Sequence, residues 1–212
     1  MPHQAMDLFA SPAVLTPIPV ADGTLAMLAQ LPLAASNADV LAELIAATPW
    51  RSETVTVYGK QHLQPRLSAA YGAAPYTYSG LTIHPLPWTP LLLAIKAAVE
   101  SASAYTFNSV LLNYYRDGRD SMGMHSDDER ELGRNPVVAS VSFGATRTFI
   151  LRHKASKQTI KLDLTDGCLL LMAGALQHHW QHGINKLTKP AGPRVNLTFR
   201  SINLHSGNGF IK

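Results

Sequence analysis

The chain has 212 residues, 46% of them hydrophobic and 15% charged, with 14 Gly and 14 Pro. This composition suits one sizeable globular core with a modest extension, and it excludes a disordered, collagen-like or coiled-coil chain. The single cysteine, Cys168, excludes a disulfide framework and a Cys-rich zinc site. The formal net charge of +4 is uneven: residues 1–50 carry −4, residues 51–139 balance at zero, and residues 140–212 carry +8. A C-terminal part this basic fits a polyanion such as nucleic acid, or equally a solubilising surface.

Residues 1–35 show no clean period and read as an extended lead-in with one short strand near Leu15–Val20. Pro17, Pro19, Asp22 and Pro32 break its apolar run, so neither a signal peptide nor a membrane span is expected, and a cytoplasmic location is. Asn37 is the expected cap of a helix over Ala38–Thr48, with Val40, Leu41, Leu44 and Ile45 on one face and Pro49 ending it. Thr54–Tyr58 alternates like a strand and stops at Gly59. Residues 60–85 lack a strong period and carry Arg66, Tyr71, Tyr76 and Tyr78, a loop-rich stretch of the kind that holds recognition residues. Thr89-Pro90 opens a second helix to about Ser101.

From Phe107 onward the pattern is strands: Val110–Tyr115, Val137–Phe143, Thr146–Arg152, Thr159–Leu164, Cys168–Ala173 and Arg194–Ile202. Asp117-Gly118, Gly144-Ala145, Asp166-Gly167 and Ala191-Gly192-Pro193 supply turns between them. Successive short strands without helices argue for an antiparallel sandwich or barrel. With two helices ahead of it, the class is α+β with a β-rich core. The expected organisation is a lead-in over 1–35, a recognition region with flanking helices over 36–106, and a catalytic core over 107–212 continuous with it.

His125 and Asp127 stand two apart, a spacing that in extended chain directs both side chains to one face. His178, His179 and His182 follow a later strand, and each is a candidate third donor. Two imidazoles and a carboxylate form the facial triad that suits Fe(II) while leaving positions open for cosubstrate and O2. In Arg194–Arg200 the polar residues Arg194, Asn196, Thr198 and Arg200 share one parity, and Val195, Leu197 and Phe199 the other. The two arginines are about 20 Å apart along a strand at ~3.3 Å per residue, so they need not hold the same group. The planar fork of Arg pairs with a carboxylate bidentately, as a small dicarboxylate in a barrel would require. Asn113 and Tyr115 repeat the pattern among Val110, Leu111 and Leu112.

Asn113-Tyr114-Tyr115-Arg116-Asp117-Gly118, His125 through Leu132, Ala139 through Gly144, His179-Trp180-Gln181-His182 and Pro193 through Arg200 together resemble the AlkB family of Fe(II)- and 2-oxoglutarate-dependent nucleic-acid dealkylases. The likeness runs over roughly residues 50–202. Val57-Tyr58-Gly59-Lys60 and Tyr76-Thr77-Tyr78-Ser79-Gly80 place it nearest the branch that works on double-stranded DNA.

The resemblance implies a double-stranded β-helix, or jelly roll, with flanking N-terminal helices. It implies metal ligands His125, Asp127 and His182, the HWxH spacing selecting His182 over His178 and His179. It implies that Arg194 and Arg200 grip 2-oxoglutarate, with Asn113, Tyr115, Asn196 and Thr198 as partners, Arg194 on the distal carboxylate and Arg200 nearer the metal. Tyr58 would be an intercalating wedge, flanked by Gly59 and Lys60. Tyr76, Thr77 and Tyr78 would form the pocket for a flipped base, and Asp128 would read its exocyclic amine. Lys60, Arg66, Arg152, Lys154, Lys186 and Lys189 are phosphate-contact candidates. The implied activity is oxidative removal of methyl groups from 1-methyladenine and 3-methylcytosine in DNA, releasing formaldehyde. Alternatives are an oxygenase of the same fold acting on RNA or protein, and a non-catalytic binder of damaged DNA. No obligate protein partner is expected.

Overall fold

The computed structural model describes residues 14–52, 54–57, 60–72, 76–78, 81–83 and 85–203. Among these the elements are β1 (Thr16–Pro17), β2 (Thr24–Leu28), α1 (Asn37–Ala47), β3 (Thr54–Val57), β4 (Lys60–Leu63), β5 (Leu67–Gly72), β6 (Tyr76–Tyr78), β7 (Leu81–Ile83) and α2 (Pro90–Ser103). There follow β8 (Ser109–Tyr115), β9 (Met122–His125), β10 (Val138–Gly144), β11 (Arg147–His153), β12 (Thr159–Leu164), β13 (Leu169–Ala173), α3 (Leu176–His179), β14 (Trp180–Ile184) and β15 (Arg194–Arg200). A seven-stranded sheet runs β1-β2-β13-β10-β15-β8-β5, and a four-stranded sheet runs β12-β11-β14-β9. Their strand pairings are antiparallel, and with the helices outside they make the expected jelly roll.

Side-chain alternation explains the layering. All seven residues of β15 are buried, so that strand must be covered on both faces. Val195, Leu197 and Phe199 join Val141 and Phe143 of β10 in a core against Val40 and Leu44 of α1 and Leu92, Ile95 and Val99 of α2. Each such side chain contributes about 1.5–3 kcal/mol by leaving water. The opposite parity, Arg194, Asn196, Thr198 and Arg200, faces the space between the sheets. Beside that space Phe149, Leu151, Leu164, Leu170, Met172 and Trp180 form a second apolar cluster.

Several elements differ from the sequence reading. Ser36, not Asn37, caps α1, its Oγ accepting from the Asp39 amide at 3.2 Å, while Asn37 bonds the side chain of Gln30. Residues 60–85, read as loop-rich, contain β4 to β7, and β5 forms the edge of the large sheet. Residues 24–28, read within the lead-in, form β2 against β13. β2 and β5 pair with distant strands, β13 and β8, and β4, β6 and β7 are only 4, 3 and 3 residues long, so no periodicity announced them. No helix among the described residues is long and apolar enough to cross a membrane.

Candidate active site

Pairing of β9 with β14 sets His125 directly opposite His182. Their rings lie 4.4 Å apart, centroid to centroid. The pairing shifts register between His182 and Ile184, and Gly183 sits in that irregularity, where a Cβ would come 2.8 Å from the Met122 carbonyl oxygen. Asp127 lies just beyond the end of β9. Its Oδ1 is 4.0 Å from His125 Nε2, and its Oδ2 is 3.6 Å from His182 Nε2. One donor atom from each of the three residues falls within 4.8 Å of the others.

The protonation pattern suits a cation. His125 Nδ1 is 2.9 Å from the Gly123 carbonyl, an acceptor, so Nδ1 carries the hydrogen and Nε2 keeps its lone pair. Burial, helped by the neighbouring His125, lowers the His182 pKa to about 3 and keeps that ring neutral. Burial opposes ionisation of Asp127, but the charge and hydrogen bond of Arg200 lead the interactions that outweigh it and hold the carboxyl at about 2. Arg200 Nη2 donates to Asp127 Oδ1 at 2.6 Å, while the buried Oδ2 accepts no hydrogen bond. An ionised carboxylate with one oxygen left over, beside two imidazoles, is a donor set that fits a divalent metal.

Of the rival histidines, His178 points Nε2 at the Arg134 carbonyl and the Asn135 side chain, and His179 packs beside His153. Neither joins the triad. His179 belongs to a second group, with Asp22 and His153. There His153 Nδ1 accepts the Ser156 amide at 3.0 Å, so the ring proton sits on Nε2 and is donated to Asp22 at 3.1 Å. That is a hydrogen-bonded clasp on the β1–β2 connection; His153 Nε2 keeps no lone pair for a metal.

Across the large sheet, Arg194 faces Tyr115 and Asn196 faces Asn113 in register. All six expected cosubstrate residues, Asn113, Tyr115, Arg194, Asn196, Thr198 and Arg200, line one cavity with the triad. Both arginines therefore reach the same space, one from each end of β15. Arg194 is 1% exposed, with its guanidinium 4.9 Å from the centre of the Tyr115 ring and Nη2 donating to Ser142 Oγ at 2.9 Å. Its Nε and Nη1 are buried without a hydrogen-bond partner, and among the described residues no carboxylate pairs with it. Burial accordingly lowers its pKa. Asn196 has both amide hydrogens engaged, by Ser140 Oγ at 2.8 Å and the Val141 carbonyl at 2.9 Å, and its Oδ1 accepts from Thr198. Asn196 and Thr198 thus tie the cavity floor together and leave Asn196 no free donor.

A family model for the 2OG-Fe(II) oxygenase superfamily matches residues 24–200, a span that includes the triad and both cavity arginines. The chain belongs to that superfamily. Among similar proteins are alpha-ketoglutarate-dependent dioxygenase alkB homolog 3 of Mus musculus and of Homo sapiens, each 44% identical over 173 residues, covering 77% of this chain and 60% of theirs. DNA oxidative demethylase ALKBH2 of Homo sapiens is 47% identical over 158 residues, 70% of this chain and 60% of that protein. The chain thus spans about 60% of the length of these curated relatives. The solved structure of OsALKBH1 shares the fold, with a TM-score of 0.60 and 18% identity over 84% of this chain and 97% of that one.

Tyr58 and Gly59 lie outside the described residues. Lys60 starts β4, and Tyr76, Thr77 and Tyr78 form β6, but their side chains also lie outside what is described. Asp128 is half exposed, 3.8 Å from Lys154 Nζ. Arg152, Lys186 and Lys189 are exposed. Arg66 is not: it is 4% exposed and donates from Nε to Asn113 Oδ1 at 2.7 Å, which removes it from the phosphate-contact candidates. Because an arginine only donates, Asn113 must turn its oxygen toward Arg66, leaving its NH2 group for other acceptors. Burial pushes the Glu129 carboxyl up to about 7.

Sequence reasoning missed four contributors. Ser140 and Ser142 share the inward parity of β10, a signal of the same kind as that in β15. Arg147 shares the inward parity of β11 with Phe149 and Leu151; its Nη2 donates to the carbonyls of Asp120 and Asn185, and its guanidinium lies 5.5 Å from the centre of the Tyr115 ring. Gln177, in a helix of four residues, had no periodic signal at all.

Proposed function

We propose that this oxygenase removes N-linked methyl groups from nucleic-acid bases, 1-methyladenine and 3-methylcytosine in DNA, using Fe(II), 2-oxoglutarate and O2. The observation that carries the cosubstrate reading is Arg194, a fully buried guanidinium with two unpartnered N–H groups and no carboxylate beside it. Leaving a buried charge uncompensated is costly, so an arginine in that position calls for an anion from outside the chain. A dicarboxylate would place one carboxylate there and present the other toward the triad. Asn113, oriented by Arg66, offers amide hydrogens to it, and Tyr115 walls the pocket.

His125, Asp127 and His182 would hold Fe(II) through two imidazole nitrogens and one carboxylate oxygen. When bound, iron with 2-oxoglutarate and O2 supplies the oxidation of the N-methyl carbon to a hydroxymethyl group, which departs as formaldehyde, while the cosubstrate becomes succinate and CO2. The protein's own part is to orient and to exclude water. Arg200 keeps Asp127 ionised, and Phe149, stacked 5.1 Å from the His182 ring, screens that ligand from solvent. The names of the relatives, together with a C-terminal part carrying +8, support an alkylated nucleic acid as substrate. Tyr58 as wedge, Tyr76, Thr77 and Tyr78 as base pocket and Asp128 as reader of the amine belong to the same reading.

The test measures succinate and formaldehyde formed with methylated DNA, methylated RNA and unmodified oligonucleotides. Stoichiometric formaldehyde with methylated DNA is expected. Succinate formed equally with every oligonucleotide, without formaldehyde, would defeat the substrate assignment and leave only an uncoupled oxygenase.

A further inference from the structure

Asp127 stands two residues past the end of β9, where no strand ladder can satisfy its backbone N–H, yet the residue is 1% exposed. A buried amide of that kind must find an acceptor or cost the fold its desolvation. The acceptor is Gln177 Oε1, at 2.9 Å across 50 residues of sequence. Gln177 is itself 1% exposed, and the recorded partner of its own NH2 group is the sulfur of Met172, a weak acceptor at 3.8 Å. A leucine would fill this space at no polar cost, so the amide is explained by the bond it makes to Asp127.

We infer that Gln177 is the positioning residue for the metal ligand Asp127, an inference that rests on the His125–Asp127–His182 site holding a divalent metal. Two groups divide the task. Gln177 fixes the main chain of Asp127, Arg200 fixes carboxylate Oδ1, and Oδ2 is what remains for the metal. Gln177 also sits in the short helix that runs directly into β14, the strand of His182. One side chain therefore couples the loop of one ligand to the strand of another. Neighbouring bonds reinforce the link: Ser126 Oγ donates to the Trp180 carbonyl at 2.9 Å, and Lys154 Nζ donates to the Gln177 carbonyl at 3.0 Å.

The experiment titrates the protein with Mn(II), without 2-oxoglutarate or nucleic acid, and reads free Mn(II) by electron paramagnetic resonance. Gln177→Met keeps the volume and removes the acceptor; Gln177→Glu keeps an acceptor in place. Supporting groups behind a metal ligand typically set affinity by about 10–100-fold, so Gln177→Met should weaken Mn(II) binding by about tenfold or more and Gln177→Glu should recover most of it. Unchanged Mn(II) affinity in Gln177→Met overturns the inference, and so does an equal loss in both variants, which would make packing the cause. If Gln177→Met does not fold, Gln177→Asn, one methylene too short to reach, takes its place under the same criteria. Wild-type protein that binds no Mn(II) would remove the metal reading itself and this inference with it.

Discussion

The two ends of the cavity treat a buried arginine in opposite ways. Arg200 meets a carboxylate at 2.6 Å, and that carboxylate is held ionised at about 2. Arg194 has a serine hydroxyl, an aromatic face and two N–H groups with nothing to donate to. One end is electrostatically complete within the chain; the other is complete only with a ligand. Removing a charge should therefore destabilise the empty protein at the first end and not at the second.

The strongest test of that contrast is Asp127→Ala. It removes the carboxylate that Arg200 meets at 2.6 Å, and breaking a buried pair from one side costs about 3–5 kcal/mol. Metal binding and turnover should be abolished and the melting temperature of the metal-free protein should fall. An unchanged melting temperature would mean that the Arg200 end does not depend on its pair.

Arg194→Met is the counterpart. It should weaken 2-oxoglutarate binding by about a hundredfold, in the range of about 2–5 kcal/mol lost when a charged hydrogen-bonded partner is truncated. The ligand-free protein should melt no lower than wild type, because no internal anion is orphaned. Calorimetric titration and a melting curve read both quantities, and a fall in melting temperature matching that of Asp127→Ala would erase the asymmetry.

Acid separates the two ends further. His182 has a folded pKa of about 3 against an ordinary 6.5, so between those values the unfolded chain takes up a proton that the folded protein refuses. Metal-free stability should be whole above about pH 6.5 and decline toward pH 3, by up to about 1.4 kcal/mol per pH unit. Asp127, lowered from 3.8 to about 2, adds its loss only below about pH 4. Melting curves from pH 7 to 4 should be flatter in His182→Gln than in wild type; parallel curves would show that this ring is not the group refusing protonation.

The smallest expected effect is at Arg66. Arg66→Met frees the Asn113 amide and should weaken 2-oxoglutarate binding only a few-fold, the worth of about 0.5–1.5 kcal/mol for one hydrogen bond. In the Asn113→Ala background the same change should cost nothing further; an additive loss would mean that Arg66 touches the cosubstrate by some other route.

The contrast between the arginines was half visible in the sequence. The parity of Arg194–Arg200, the spacing of His125 and Asp127, and the helix begun by Thr89-Pro90 are local properties, fixed by the two-residue repeat of a strand and by capping chemistry. They survive in the structure because nothing distant is needed to express them: Thr89 Oγ1 accepts the Leu92 amide at 3.2 Å as its position demands. Without the family resemblance the local pattern left His178, His179 and His182 as equals, and it is the pairing of β9 with β14 that brings His182, and not the others, opposite His125. Arg66 looked like a surface cation until the fold folded it under β8, and Gln177 carried no signal because a four-residue helix has no period to read. Which face a side chain takes is decided by its neighbours in sequence. What it meets there is decided by strands brought together from far along the chain, and the charge balance of a buried site depends on that meeting.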